Sequence, residues 1–220
     1  MHPRLVLLLQ VPASLLIVAA FPGNWAKLGA LLVLWILTFR TLTKSEWILY
    51  VAACGFFTVM NALSLRQGIF AFTAPDALGM PVYEFFMWGF YLLHVKRLLD
   101  GPAPQGTPRQ TGLVWTLALL YAGAFAALAD PNILLTATGV LLAVGLLLFH
   151  ERLDLSYAGY MVLLGAAFEY TGVLSGQWAY PDHPPGGVPL WFVTLWGGVG
   201  LFLRRLVLPL LSRESQVSLP

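Results

Sequence analysis

The stretch Glu169 to Gly198, EYTGVLSGQWAYPDHPPGGVPLWFVTLWGG, reads as an apolar run carrying one carboxylate, then a Gly/Pro/aromatic loop, then a second apolar run. Shifted back by 108 residues without a gap, the pattern returns. Gly176 falls on Gly68, Ala179 on Ala71, Gly187 on Gly79, Pro189 on Pro81, Trp196 on Trp88 and Gly197 on Gly89. Six identities across 22 positions exceed the roughly one or two that composition alone supplies. The spacing predicts an internal duplication.

Outside this stretch, composition sets the class. With 59% hydrophobic and 10% charged residues, the chain has too little polar surface to cover its apolar side chains in water. A polytopic helical membrane protein is expected, with the lipid bilayer as its surroundings. The formal charge of +2 comes from dispersed Lys and Arg, so a nucleic-acid surface is excluded as an expectation. The single cysteine, Cys54, rules out an internal disulfide and reads as a small core residue.

Eight spans are predicted, approximately Leu5–Phe21, Ala26–Phe39, Glu46–Leu65, Pro81–Val95, Thr111–Ala129, Pro131–Phe149, Leu155–Leu174 and Pro189–Leu203. The first follows His2 and Arg4 and has the look of a secretory signal. It is kept as a helix because Thr111–Ala129 takes the equivalent place 108 residues later, and Asn24 and Asn132 follow the two runs. With the N-terminus inside, Arg4, Arg40, Lys44, Lys96, Arg97, Arg109, Arg152, Arg204, Arg205 and Arg213 share one side, leaving Lys27 and Arg66 opposite. That asymmetry predicts both termini on the cytoplasmic face of the cell membrane, with loops 69–80 and 177–188 outside.

The offset extends further. Lys44 and Glu46 match Arg152 and Asp154, and Lys96–Arg97 match Arg204–Arg205. Four spans per copy make the repeats parallel. The expected organisation is a first four-helix repeat over 1–97, a Pro/Gly-rich linker over 98–110, a second repeat over 111–205 and a frayed tail over 206–220.

Ionisable groups within spans cost several kcal/mol unless paired, hydrated or neutralised. Two stand out. Glu169 lies about two turns before Gly176, and Glu84 one turn beyond Pro81, where a helix start favours a carboxylate. Asn61 takes the place of Glu169 in the first copy, and Phe192 that of Glu84 in the second. Asp182 and His183 fall in a Pro-rich turn and read as solvated. No metal-ligand spacing, nucleophile elbow or phosphate loop appears, so no metal or cofactor is expected.

Glu169, Gly172, Gly176, Trp178 and Tyr180, then Gly187 to Leu190 and Trp196, resemble the motif of carotenoid-biosynthesis membrane proteins of the bisanhydrobacterioruberin hydratase type. Gly68, Phe70 and Phe72, then Gly79 to Phe86, resemble the lycopene cyclase domain of the heterodimeric or fused type. Tyr83 stands where that family has the first glutamate of a pair. The resemblance implies a carotenoid or isoprenoid as ligand and chemistry begun by protonating a terminal alkene, leading to cyclisation or hydration. It implies Glu169 and Glu84 as acids. The aromatic faces of Phe70, Phe72, Tyr83, Trp178, Tyr180, Trp191 and Trp196, with Asn61, would then line the ligand site.

Other readings of the same residues stay open. The rings also suit interfacial belts, the glycines close helix approach, and Glu169 a structural hydrogen bond to Asn61 or a nearby tyrosine. A non-catalytic scaffold with a cyclase-like fold and a small-solute transporter lined by Asn61 and Glu169 are the alternatives. A homo-oligomer or a membrane-protein partner is compatible with either.

Overall fold

A computed structural model describes residues 3–181 and 184–217. Asp182, His183, His2 and the last residues of the tail, 218–220, lie outside the described residues, as do the side chains beyond Ser212.

Helices dominate, as the apolar runs require. They are α1 (Pro3–Ala20), α2 (Asn24–Phe39), α3 (Lys44–Arg66), α4 (Glu84–Leu98), α5 (Pro108–Ala127), α6 (Pro131–Leu148), α7 (Arg152–Leu174), α8 (Trp191–Phe202) and α9 (Leu208–Val217). Local chemistry sets many of their ends. Thr43 and Thr107 close capping boxes with Glu46 and Gln110, and Asp130 accepts from the backbone N–H groups of Asn132 and Ile133. Five segments are long and apolar enough to cross a membrane: α1, α3, α5, α6 and the continuous run Pro185–Ser212; α2 is a shorter apolar helix. Leu16, Leu37, Leu119 and Leu147 stay exposed on these helices, as lipid-facing side chains do.

Two details differ from the sequence reading. The fourth span begins as a helix only at Glu84, because Pro81 to Tyr83 form a turn. The run after α8 is not broken at Pro209. A π turn, Leu203–Val207, comes first, and the N–H of Leu208 reaches back to Leu203 O. The widened turn precedes the proline, which lacks a donor of its own, so the helix continues into α9.

The chain forms two compact units, residues 1–98 with 167–188, and residues 99–166 with 189–220. In the first, α3 packs on α4 and α1 on α2. Phe57 stacks on Trp88 with centroids 3.8 Å apart, and Trp35 of α2 stacks on Phe90 of α4. The strands β1 (Ala71–Phe72) and β2 (Trp178–Ala179) pair antiparallel, Ala71 opposite Ala179 and Phe72 opposite Trp178. In the second, α6 packs on α8 and α5 on α6, around Val114, Leu117, Phe149 and Leu201.

Each unit carries a buried carboxylate holding basic residues. In the first, Glu46 takes Lys96 at 3.1 Å and Arg97 through Nε at 2.9 Å and Nη2 at 2.8 Å. Arg97 also donates to Phe39 O and Thr41 O, fastening the end of α2. In the second, Asp154 takes Arg205 through Nε at 2.7 Å and Nη2 at 2.5 Å. A bidentate fork of this kind supplies geometry as well as charge.

Candidate functional site

The first unit gathers the polar groups that an apolar protein has most reason to use. Its centre is Glu169, in the last turns of α7. The ring N–H of Trp178 donates to Glu169 Oε2 at 3.1 Å, and the Tyr180 hydroxyl donates to the same oxygen at 2.8 Å. Both donors come from the β2 segment just beyond the helix. The chain returns on itself because Gly176, at φ +69°, takes a left-handed turn that a side chain would strain. Gly68, at φ +71°, does the same before β1.

Close packing fixes the ring that makes the first hydrogen bond. Trp178 lies against the backbone of Gly172, where an added Cβ would sit 2.0 Å from the indole carbons. Its other side meets Phe72 of β1, with centroids 5.7 Å apart and the rings edge-on. Phe70 approaches Tyr180 at 6.0 Å. The ribbon is tied down by Thr73, whose N–H donates to Gln177 O at 2.9 Å and whose hydroxyl donates to Gly176 O at 2.7 Å.

Glu84, at the first position of α4, is 8% exposed and interacts electrostatically with Glu169. Tyr91, one face further along α4, is buried, feels both carboxylates and packs its ring on Phe168 at 4.6 Å. Tyr180 lies in the loop beyond α7. Burial, then the charge of Glu169, pushes its phenol well above the ordinary value, so it stays a donor. Tyr83 is fully buried, and its hydroxyl has no hydrogen-bond partner among the described residues. The Lys27 ammonium lies 5.7 Å from the Tyr83 ring and donates to Gln177 Oε1. Asn24 donates to Ala74 O at 2.6 Å and Asp76 Oδ2 at 2.8 Å, and that carboxylate also accepts from the N–H of Val82.

The first unit therefore holds Glu169, Glu84, Phe70, Phe72, Tyr83, Trp178 and Tyr180, with Asn61 half-buried on α3. Trp191 and Trp196 belong to the second unit. There Trp191 meets Phe125 edge-on at 6.0 Å, and Trp196 lies against Gly165 of α7. Four participants were absent from the sequence-derived set: Lys27, Gln177, Tyr91 and Gly172. Lys27 carried a signal, being one of two cations on the wrong side of the charge asymmetry, while Tyr91 sits in an unbroken apolar run that offers none. Among the described residues no group of three His, Cys, Asp or Glu is placed to hold a metal ion.

These helices define a multi-pass α-helical membrane protein. No family model matches the sequence, and no curated protein does. The fold is similar to that of MvINS, a mycobacterial Insig homologue from Mycobacterium vanbaalenii, at 17% identity over 76% of this chain and 96% of that one, with a TM-score of 0.62. A cross-linked cysteine variant of MvINS, crystallised as a trimer, matches at 16% identity over 82% of this chain and 98% of that one, with a TM-score of 0.65. At such identity the likeness is one of fold.

This corrects the resemblance to carotenoid cyclases and hydratases, since the structural neighbours are Insig homologues and no family model supports that superfamily. The physical reason is visible in the motif. Gly68 and Gly176 make left-handed turns, Gly79 and Gly187 do so at φ +79° and +80°, and Gly172 seats an indole. These residues build a ribbon and its turns, a requirement that unrelated membrane proteins share.

Proposed function

We propose that the chain is a non-catalytic membrane protein that binds a lipid-soluble ligand with an apolar body and one polar end, such as a sterol or an isoprenoid alcohol. The observation that carries this reading is the Glu169 carboxylate, fixed by Trp178 and Tyr180 and bordered by aromatic rings. Ligand sites typically combine an apolar lining with a few placed polar groups. An acid that protonates an alkene must present its own O–H to the substrate, whereas Oε2 of Glu169 is an acceptor held by two donors. The Insig-like fold supports the non-catalytic reading.

Three structural readings accompany it. Two parallel four-helix repeats over 1–97 and 111–205 are supported by Ala71 pairing with Ala179, its equivalent 108 residues on, and by Glu46 and Asp154 playing matching parts. The basic asymmetry supports cytoplasmic termini in a cell membrane. Homo-oligomerisation is supported by the trimer of the MvINS variant.

The test is retention of a tritiated sterol and a tritiated isoprenoid alcohol by detergent-purified protein. Tyr180→Phe removes one hydrogen bond to the carboxylate, worth about 1–1.5 kcal/mol, so retention should weaken about 5- to 10-fold. Glu169→Gln should weaken it at least as much. Recovery of a probe with altered mass would replace the binding reading with an enzymatic one. Equal retention by wild type and both variants would move the site away from Glu169.

A further inference from the structure

The second unit contains a cleft of about 390 Å³ that is independent of the Glu169 site. It opens where the linker, the start of α5 and the α8–α9 run meet, and its volume falls within the range of small-molecule sites. The lining divides into two kinds. Val114, Trp115, Phe149, Leu206 and Leu210 supply apolar walls, while Gln110, Thr111 and Arg205 supply polar edges.

Arg205 is the informative group. Its side chain is 6% exposed, and Nε and Nη2 are consumed by Asp154 and Glu151. Nη1 has no hydrogen-bond partner among the described residues, although the residue lines the cleft. The carboxylate pair thus fixes the guanidinium rigidly and leaves one edge with donors to spare. Across the cleft, Gln110 and Thr111 belong to the first turn of α5, whose unsatisfied N–H groups give that end partial positive charge. A fixed cationic edge, a helix start and an apolar wall meet in one cavity.

We infer that this cleft binds an anionic amphiphile, its phosphate, sulfate or carboxylate between Arg205 Nη1 and the start of α5, its chain along Val114, Trp115 and Leu210. An anionic membrane lipid has this chemistry, and so does a soluble alkyl phosphate. A carboxylate headgroup would pair with the guanidinium as readily as a phosphate. Trp115, 44% exposed, suits the membrane–water boundary that such a ligand occupies.

Gln110→Glu tests the inference without disturbing the ion pair. Glutamate is equally suited to the capping box that Gln110 makes with Thr107, and a negative charge in the first turn favours the helix, so the fold is kept while the cleft turns anionic. Native mass spectrometry of detergent-purified protein would follow dioleoyl phosphatidylglycerol against the phosphatidylcholine of the same chains. Wild type should retain one phosphatidylglycerol per chain at least 10-fold more tightly than phosphatidylcholine. Gln110→Glu should lose about 10-fold at unchanged melting temperature, and Thr111→Lys should retain the lipid at least as well as wild type. Dodecyl phosphate should compete where inorganic phosphate does so weakly. No preference for the anionic lipid, equal weakening by both variants, or competition by inorganic phosphate equal to that of dodecyl phosphate would overturn it.

Discussion

Asp154→Ala is expected to lower stability by about 3–5 kcal/mol, a large share of what holds any domain folded. The side chain is fully buried and carries three tasks at once. It holds Arg205 by two hydrogen bonds, stands 3.9 Å from Arg204 Nε and accepts the backbone N–H of Glu151 at the start of α7. Arg204 and Arg205 are 3% and 6% exposed, so neither can turn to water when the carboxylate goes. The cost is that of stranding buried cations, which exceeds what the pair contributes over an apolar replacement. Glu46→Ala removes the equivalent group, yet its partners Lys96 and Arg97 are 27% and 25% exposed, and Arg97 keeps its bonds to Phe39 O and Thr41 O. Its loss should therefore be about half as large. Thermal unfolding in detergent, followed by far-ultraviolet dichroism, compares the two; a Glu46→Ala loss equal to or above that of Asp154→Ala would refute the ranking by burial.

Much of this architecture is legible before any coordinates. The 108-residue offset pairs Glu46 with Asp154 and Arg97 with Arg205, and in both cases the carboxylate grips the arginine 51 residues onward. Helix positions follow from apolar runs bounded by Thr43, Thr107 and Asp130, residues whose side chains satisfy a helix start. The site is legible in part. Glu169 stands out because a carboxylate within an apolar run demands partners, and a nearby tyrosine, Tyr180, supplies one.

What escapes the sequence depends on contacts between distant residues. A two-residue strand is too short to show alternation, so the pairing of Ala71 with Ala179 has no periodic signature. The cleft beside Arg205 arises only when the linker folds against α5 and α9. The motif that resembled a carotenoid enzyme consists largely of glycines, prolines and aromatics, and those residues answer first to geometry. Left-handed turns at Gly68 and Gly176 and an indole seated on Gly172 satisfy the same pattern with no reaction behind it.

Gly172→Ala should disrupt the Glu169 site more than any other single-methyl change in the first unit. The added carbon would lie 2.0 Å from Trp178 Cη2 and Cζ2, far inside van der Waals contact, and 2.4 Å from Cε2. The indole cannot slide aside cheaply. Its backbone is paired with Phe72 in the ribbon, its ring N–H is bound to Glu169, and the Phe72 ring flanks it. Overpacking of this kind costs about 1–3 kcal/mol, and losing the Trp178–Glu169 hydrogen bond adds about 1 kcal/mol or more. Ligand retention should fall with stability, because the carboxylate loses one of its two fixed donors. A double-mutant cycle separates this cause from a general helix effect. Trp178→Ala alone should cost about 3–5 kcal/mol through the cavity it leaves. In that background Gly172→Ala should become neutral or stabilising, since the clash is gone and alanine is the better helix former. Equal destabilisation by Gly172→Ala with and without Trp178, measured by thermal unfolding in the same detergent, would show that the glycine serves the helix and not the indole.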